Sequence, residues 1–193
     1  MDTSNDLIDL FLQLCSKFNS TGIPYCVTGG FAVSMWGPPR GTSDIDIVIM
    51  IYKKDRKQVI EFLNTNFNLV QSHENDMVFK NIHIWRHILR SGKGDNIFPL
   101  DMIISNNSYL KTVIKRKIEI EYRSVKIPVI SLEDLIILKS ISKRDIDRFD
   151  IGNIFKSGNP IDWKYLKGVV TQLNLDWEFI ERIENENAVG ACK

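Results

Sequence analysis

Apolar residues recur along the first third of the chain at two alternating periods, and each change of period marks an element. Leu7, Ile8, Leu10, Phe11, Leu14, Cys15 and Phe18 fall at helical spacing and predict an amphipathic helix, which ends before Gly22 and Pro24. Tyr25–Thr28 is a short β-prone run, Phe31–Trp36 returns to helical spacing, and Asp44–Ile51 reads as a buried strand that carries acids at one end. Lys53–Asn66 predicts a helix with Val59, Ile60 and Leu63 inward. Short strands follow at Phe67–Gln71, Met77–Lys80 and Ile82–Trp85, then a loop from Arg90 to Asn96 with Arg90 and Lys93 as candidate lid residues. Phe98–Ser105 predicts a strand opened by an acid, Tyr109–Lys115 a helix, and Ile118–Tyr122 with Val125–Ile130 a hairpin turning at Arg123-Ser124.

Beyond residue 130 the pattern is helical throughout. Ser131-Leu-Glu-Asp134 resembles a capping box opening Leu132–Lys143, and Asp145–Phe155, Asp162–Leu173 and Asp176–Asn185 continue at helical period. The expected organisation is a mixed core over 1–130 and a helical region over 131–193 packed on it, with a frayed tail from Asn187.

Composition narrows the function classes. A 44% apolar content suffices for a core, and a formal charge of +1 argues against a protein that holds nucleic acid by bulk electrostatics. Between Lys111 and Lys126, Lys111, Lys115, Arg116, Lys117, Arg123 and Lys126 outnumber Glu119 and Glu121, giving either a phosphate-facing strip or an ordinary solvated surface. Cys15, Cys26 and Cys192 have no metal-ligand or disulfide spacing, which suggests a reducing compartment. The polar, acidic N-terminus and the lack of any run near the roughly 20 apolar residues needed to span a bilayer make cytoplasmic residence the expectation.

The candidate chemistry lies where strand turns into helix. Thr28-Gly29-Gly30 precedes Phe31–Trp36, so the glycines sit at a helix N-terminus, where backbone N–H groups and missing Cβ atoms suit a phosphate. Asp44 and Asp46, two apart on a strand, share a face while Ile45 and Ile47 point to the other, an arrangement of hard oxygen ligands suited to Mg²⁺. Between them, Arg40, Thr42 and Ser43 offer a guanidinium and hydroxyls to a β/γ-phosphate. A strand face with His83 and Trp85, together with His73 and His87, is a candidate acceptor-pocket lining or a set of structural residues.

The spacing Gly29-Gly30-(x13)-Asp44-Ile45-Asp46 resembles the nucleotidyltransferase superfamily related to DNA polymerase β. That resemblance implies an α+β fold with a mixed β-sheet core, flanking helices and a C-terminal helical region. It also implies a third carboxylate, for which Asp101 at the head of its strand is the candidate, as metal ligand or general base. Lys139 and the Arg144-x-x-Asp147-x-x-Asp150-Ile151 segment resemble the C-terminal part of small bacterial enzymes of this type, including abortive-infection toxin-like and antibiotic-modifying transferases. The resemblance assigns Lys139 to the nucleotide phosphates; the residues themselves equally allow ion pairs with Asp147 and Asp150. The expected activity is transfer of a nucleoside monophosphate from an NTP, with one or two Mg²⁺ ions or Mn²⁺ as substitute, to tRNA or protein. A small-molecule antibiotic is the alternative acceptor, and an inert antitoxin or regulatory binding protein the alternative class.

Overall fold

In the computed structural model, residues 3–79, 82–92, 95–104 and 107–188 are described. The chain divides into two compact units, Met1–Gly30 with Gly41–Ile130, and Phe31–Arg40 with Ser131–Lys193.

The first unit is built on a mixed eight-stranded sheet. Its strands are β1 (Tyr25–Thr28), β2 (Ile45–Ile49), β3 (Asn68–Ser72), β4 (Met77–Phe79), β5 (Ile82–Arg90), β6 (Ile97–Ile104), β7 (Ile118–Tyr122) and β8 (Val125–Val129). They lie in the order β3-β5-β6-β2-β1-β8-β7, with β4 also paired to β5. Helices α1 (Thr3–Asn19), α3 (Arg56–Asn66) and α4 (Ser108–Arg116) belong to this unit, and α2 (Gly29–Trp36) starts in it. The parallel β2–β6 pair has one fully buried apolar face, formed by Ile45, Ile47, Ile49, Leu100 and Met102, while the other face carries the acids beside a buried Val48. Registers then place the acids. Asp46 on β2 sits opposite Thr28 of β1 on one side and Asp101 of β6 on the other.

Two of the boundaries that differ from the sequence expectation bear on the site. Strand β2 begins at Ile45, so Asp44 stands just outside it. Strand β5 runs on to Arg90 because every residue from His83 to Arg90 pairs with β6; the charged Arg86 and polar His87 interrupt the apolar signal without interrupting the ladder. The β7–β8 hairpin turns at Arg123 and Ser124, whose φ values of 48° and 62° are the left-handed pair of a tight hairpin turn, made here without glycine. Lys80, Lys93, Ser105, Cys192 and the tail from residue 189 lie outside the described residues.

The second unit is helical: α5 (Leu132–Ser142), α6 (Asp145–Lys156), α7 (Trp163–Gln172) and α8 (Trp177–Ala188). Ser131 caps α5, its hydroxyl accepting from the Asp134 backbone N–H, as its Ser-x-x-Asp spacing suggests. Leu135, Ile136, Ile151, Leu166 and Ile180 form its buried centre. No helix among the described residues is long and apolar enough to cross a membrane.

Candidate active site

The glycine turn and the acidic strand are one interlocked object. Gly29 begins α2 at φ +62°, a left-handed conformation, and the space a Cβ would take there is filled by the Asp46 carboxylate. Any side chain at position 29 therefore collides with the acid two strand positions from Asp44. Gly30 is buried and Thr28 is 3% exposed.

Asp44 and Asp46 are half-buried, Asp101 is buried, and one ligand oxygen from each lies within 4.8 Å of the others. The hydroxyl of Thr42, a phosphate-binding candidate, donates to the Asp44 carboxylate at 2.8 Å and fixes its direction. Ser43 is exposed beside it.

A residue that the sequence reading passed over completes this cluster. Arg86 lies opposite Asp101 in the β5–β6 register, and its Nε and Nη2 donate to the two carboxylate oxygens at 2.7 and 2.6 Å. This fork-to-fork pairing holds the Arg86 proton more tightly than usual, first through the Asp101 hydrogen bonds and then, against some desolvation, through the charges of Asp101, Asp44 and Asp46. The signal was available. A lone arginine inside Ile82-His-Ile-Trp-Arg86-His-Ile-Leu89 needs an acidic partner on its own strand face, opposite in parity to Trp85.

The other predicted cations are engaged in the second unit. Lys139 is 7% exposed, and its ammonium donates to Asp150 at 2.6 Å and to Asp147 at 3.2 Å. Arg40 Nε donates to the other Asp150 oxygen at 3.0 Å, and Arg144 Nε to Asp147 at 2.7 Å, with the Ser142 hydroxyl also donating to Asp147. Burial raises the Asp147 pKa, but hydrogen bonds from Arg144 and Ser142 and the Lys139 charge outweigh it, so the carboxyl titrates below its ordinary range. The ion pairs open to Lys139 are both formed.

Two of the histidine and aromatic candidates, Trp85 and His87, belong to the core. Trp85 and His87 are 2% and 0% exposed, their rings 4.2 Å apart, with Arg56 over the Trp85 ring at 4.7 Å. His83 Nδ1 faces Asp76 at 3.2 Å, and Asp76 is clamped by Arg56 at 2.6 and 2.7 Å. Burial, then the nearby Arg56 and His73, push the His87 pKa down to about 4, so this is a neutral core histidine. At the loop, Arg90 pairs with the exposed Asp95 at 3.1 Å. The basic segment is partly self-neutralised, with Lys126 near Glu119 and Arg123 near Asp9, each at 3.8 Å.

No protein-family model matches the chain, and no curated protein does. Solved structures do. A nucleotidyltransferase candidate from H. pylori is 12% identical, with 97% of each chain covered and a TM-score of 0.53. The candidate nucleotidyltransferase TM1012 from Thermotoga maritima is 15% identical over 69% of this chain and 83% of its own, at a TM-score of 0.52. JHP933 from Helicobacter pylori is 12% identical over 97% and 95%, at 0.50. With the Gly29–Asp46 interlock and the sheet order already established, these likenesses identify the fold of this chain as that of the nucleotidyltransferases.

Proposed function

We propose that this chain is a metal-dependent nucleotidyltransferase that moves a nucleoside monophosphate from an NTP to a hydroxyl of a macromolecular acceptor, tRNA or protein. The observation that carries the reading is the convergence of the Asp44, Asp46 and Asp101 oxygens within 4.8 Å, beside a helix-initiating glycine turn that tolerates no side chain. Three carboxylates at that separation are the donor set of a hard divalent ion. Mg²⁺ there, as one ion or two, or Mn²⁺ in its place, supplies Lewis-acid neutralisation of the triphosphate charge.

The chain's own residues do the rest. Gly29 and Gly30 present the α2 N-terminus to the phosphates, and Ser43 adds a hydroxyl. Thr42 orients Asp44, and Arg86 orients Asp101. Lys139 and Arg40, held by Asp147 and Asp150, are left out of the phosphate set. In the reaction the acceptor oxygen attacks the α-phosphorus and a P–O bond forms. The bond from that phosphorus to the bridging oxygen breaks, pyrophosphate leaves, and the hydroxyl proton passes to a carboxylate, for which Asp101 is the candidate.

The test is transfer of label from α-labelled ATP, GTP, CTP and UTP to RNA and protein fractions of a lysate, with an antibiotic panel in parallel. Label in RNA or protein, lost in Asp44→Asn and Asp46→Asn, is the expected outcome; label in an antibiotic alone moves the acceptor to the small-molecule class. Label in no acceptor, with either metal, overturns the reading.

A further inference from the structure

Arg86 is a fixed charge placed against the one carboxylate of the cluster that is buried. Its partner oxygens are 2.7 and 2.6 Å away, its side chain keeps 33% exposure, and its register position on β5 sets it directly opposite Asp101. Carboxylates held with oxygens within 4.8 Å repel one another, and such a cluster either takes up a proton, captures a cation or carries its own. A guanidinium is the one side chain that stays charged under any working condition.

We propose that Arg86 is a built-in counter-cation: it offsets one of the three carboxylate charges in the nucleotide-free protein, weakens capture of a free divalent ion, and so favours an ion that arrives with a nucleoside triphosphate. The proposal rests on the nucleotidyl-transfer reading of the same site. Its electrostatics change sign with the form of the incoming species. A bare dication meets the positive charge of Arg86 as a repulsion, whereas a divalent ion bound to a triphosphate is net anionic and meets it as an attraction. The fork geometry adds direction, since the Asp101 carboxylate is held in the plane that two parallel N–H bonds dictate. Arg86 is thus a positioning residue, acting through Asp101.

The experiment is calorimetric titration of Mn²⁺ into wild type, Arg86→Gln and Arg86→Lys, each without nucleotide and with a non-hydrolysable triphosphate. Without nucleotide, Arg86→Gln is expected to bind Mn²⁺ about tenfold more tightly than wild type, the scale of one unit charge acting over several ångströms of water-like dielectric. Arg86→Lys, which keeps the charge, stays near wild type, and the advantage of Arg86→Gln disappears when the triphosphate is present. Equal or weaker Mn²⁺ binding by Arg86→Gln overturns the proposal, as does an Arg86→Lys that behaves like the glutamine variant. Should the glutamine variant fail to fold, wild type decides: free Mn²⁺ bound as tightly without triphosphate as with it overturns the proposal. Mn²⁺ binding that is lost in Asp46→Asn yet indifferent to Arg86 overturns this proposal alone, whereas no Mn²⁺ binding under any condition overturns the metal-dependent reading of the site along with it.

Discussion

Two charged clusters in this chain use the same chemical groups in opposite balance. In the first unit Asp44, Asp46 and Asp101 converge with Arg86 paired to Asp101; in the second, Asp147 and Asp150 are surrounded by Lys139, Arg40 and Arg144. Where carboxylates predominate, the site keeps an affinity for further positive charge. Where cations predominate around fully buried acids, the bonds are structural, and within the second unit the cluster ties Arg40 and α5 to α6. Aspartates of the two clusters therefore differ in charge balance, and the difference lies in what surrounds them.

The comparison can be broken most severely at the first cluster. Asp46→Asn or Asp44→Asn should lower turnover by at least about a thousandfold, roughly 4 kcal/mol of transition-state stabilisation. The melting temperature should stay level or rise, because the exchange removes like-charge repulsion; single-turnover assays beside thermal melts read both. At the second cluster the effect falls on stability. Lys139→Met leaves Asp147 and Asp150 buried without their shared partner and should cost about 3–5 kcal/mol in denaturant unfolding.

A third contrast comes from pH. His87 in the unfolded chain protonates near its ordinary 6.5, and in the folded chain only near about 4. The unfolded state therefore binds more protons in that interval. Stability is flat above the upper value and falls as pH drops toward the lower one, by up to roughly 3 kcal/mol, and His87→Phe should flatten that slope. Smallest is Arg148→Ala, which removes an exposed pair with Glu186 and should change stability by less than about 1 kcal/mol.

Much of this was legible in the sequence, because the informative residues report on local geometry. Gly29-Gly30 before an apolar helix stripe and Asp44-Ile45-Asp46 before an apolar run mark a turn and a strand edge without any knowledge of neighbours. The element order followed from changes of period and from turn residues, as where the short β-prone run Tyr25–Thr28 lies between Pro24 and Gly29. What depends on register was not legible. Arg86 meets Asp101 only because β5 pairs with β6 up to Arg90, and His87 goes to the core because its strand face lies opposite that of Arg86. Lys139 could be read as a phosphate contact or an ion pair from its helix alone; which partner it takes depends on α6 lying against α5.

The measurement that tests the central claim most directly is thermal stability of wild type, Asp44→Asn and Asp46→Asn with ATP, GTP, CTP or UTP, each with and without Mg²⁺. Nucleotide at about a hundred times its dissociation constant should stabilise wild type by roughly 2.7 kcal/mol. The account predicts a shift that needs Mg²⁺, favours at least one base and vanishes in both variants. A shift that survives Asp44→Asn and Asp46→Asn, or no shift with any nucleotide, would contradict it.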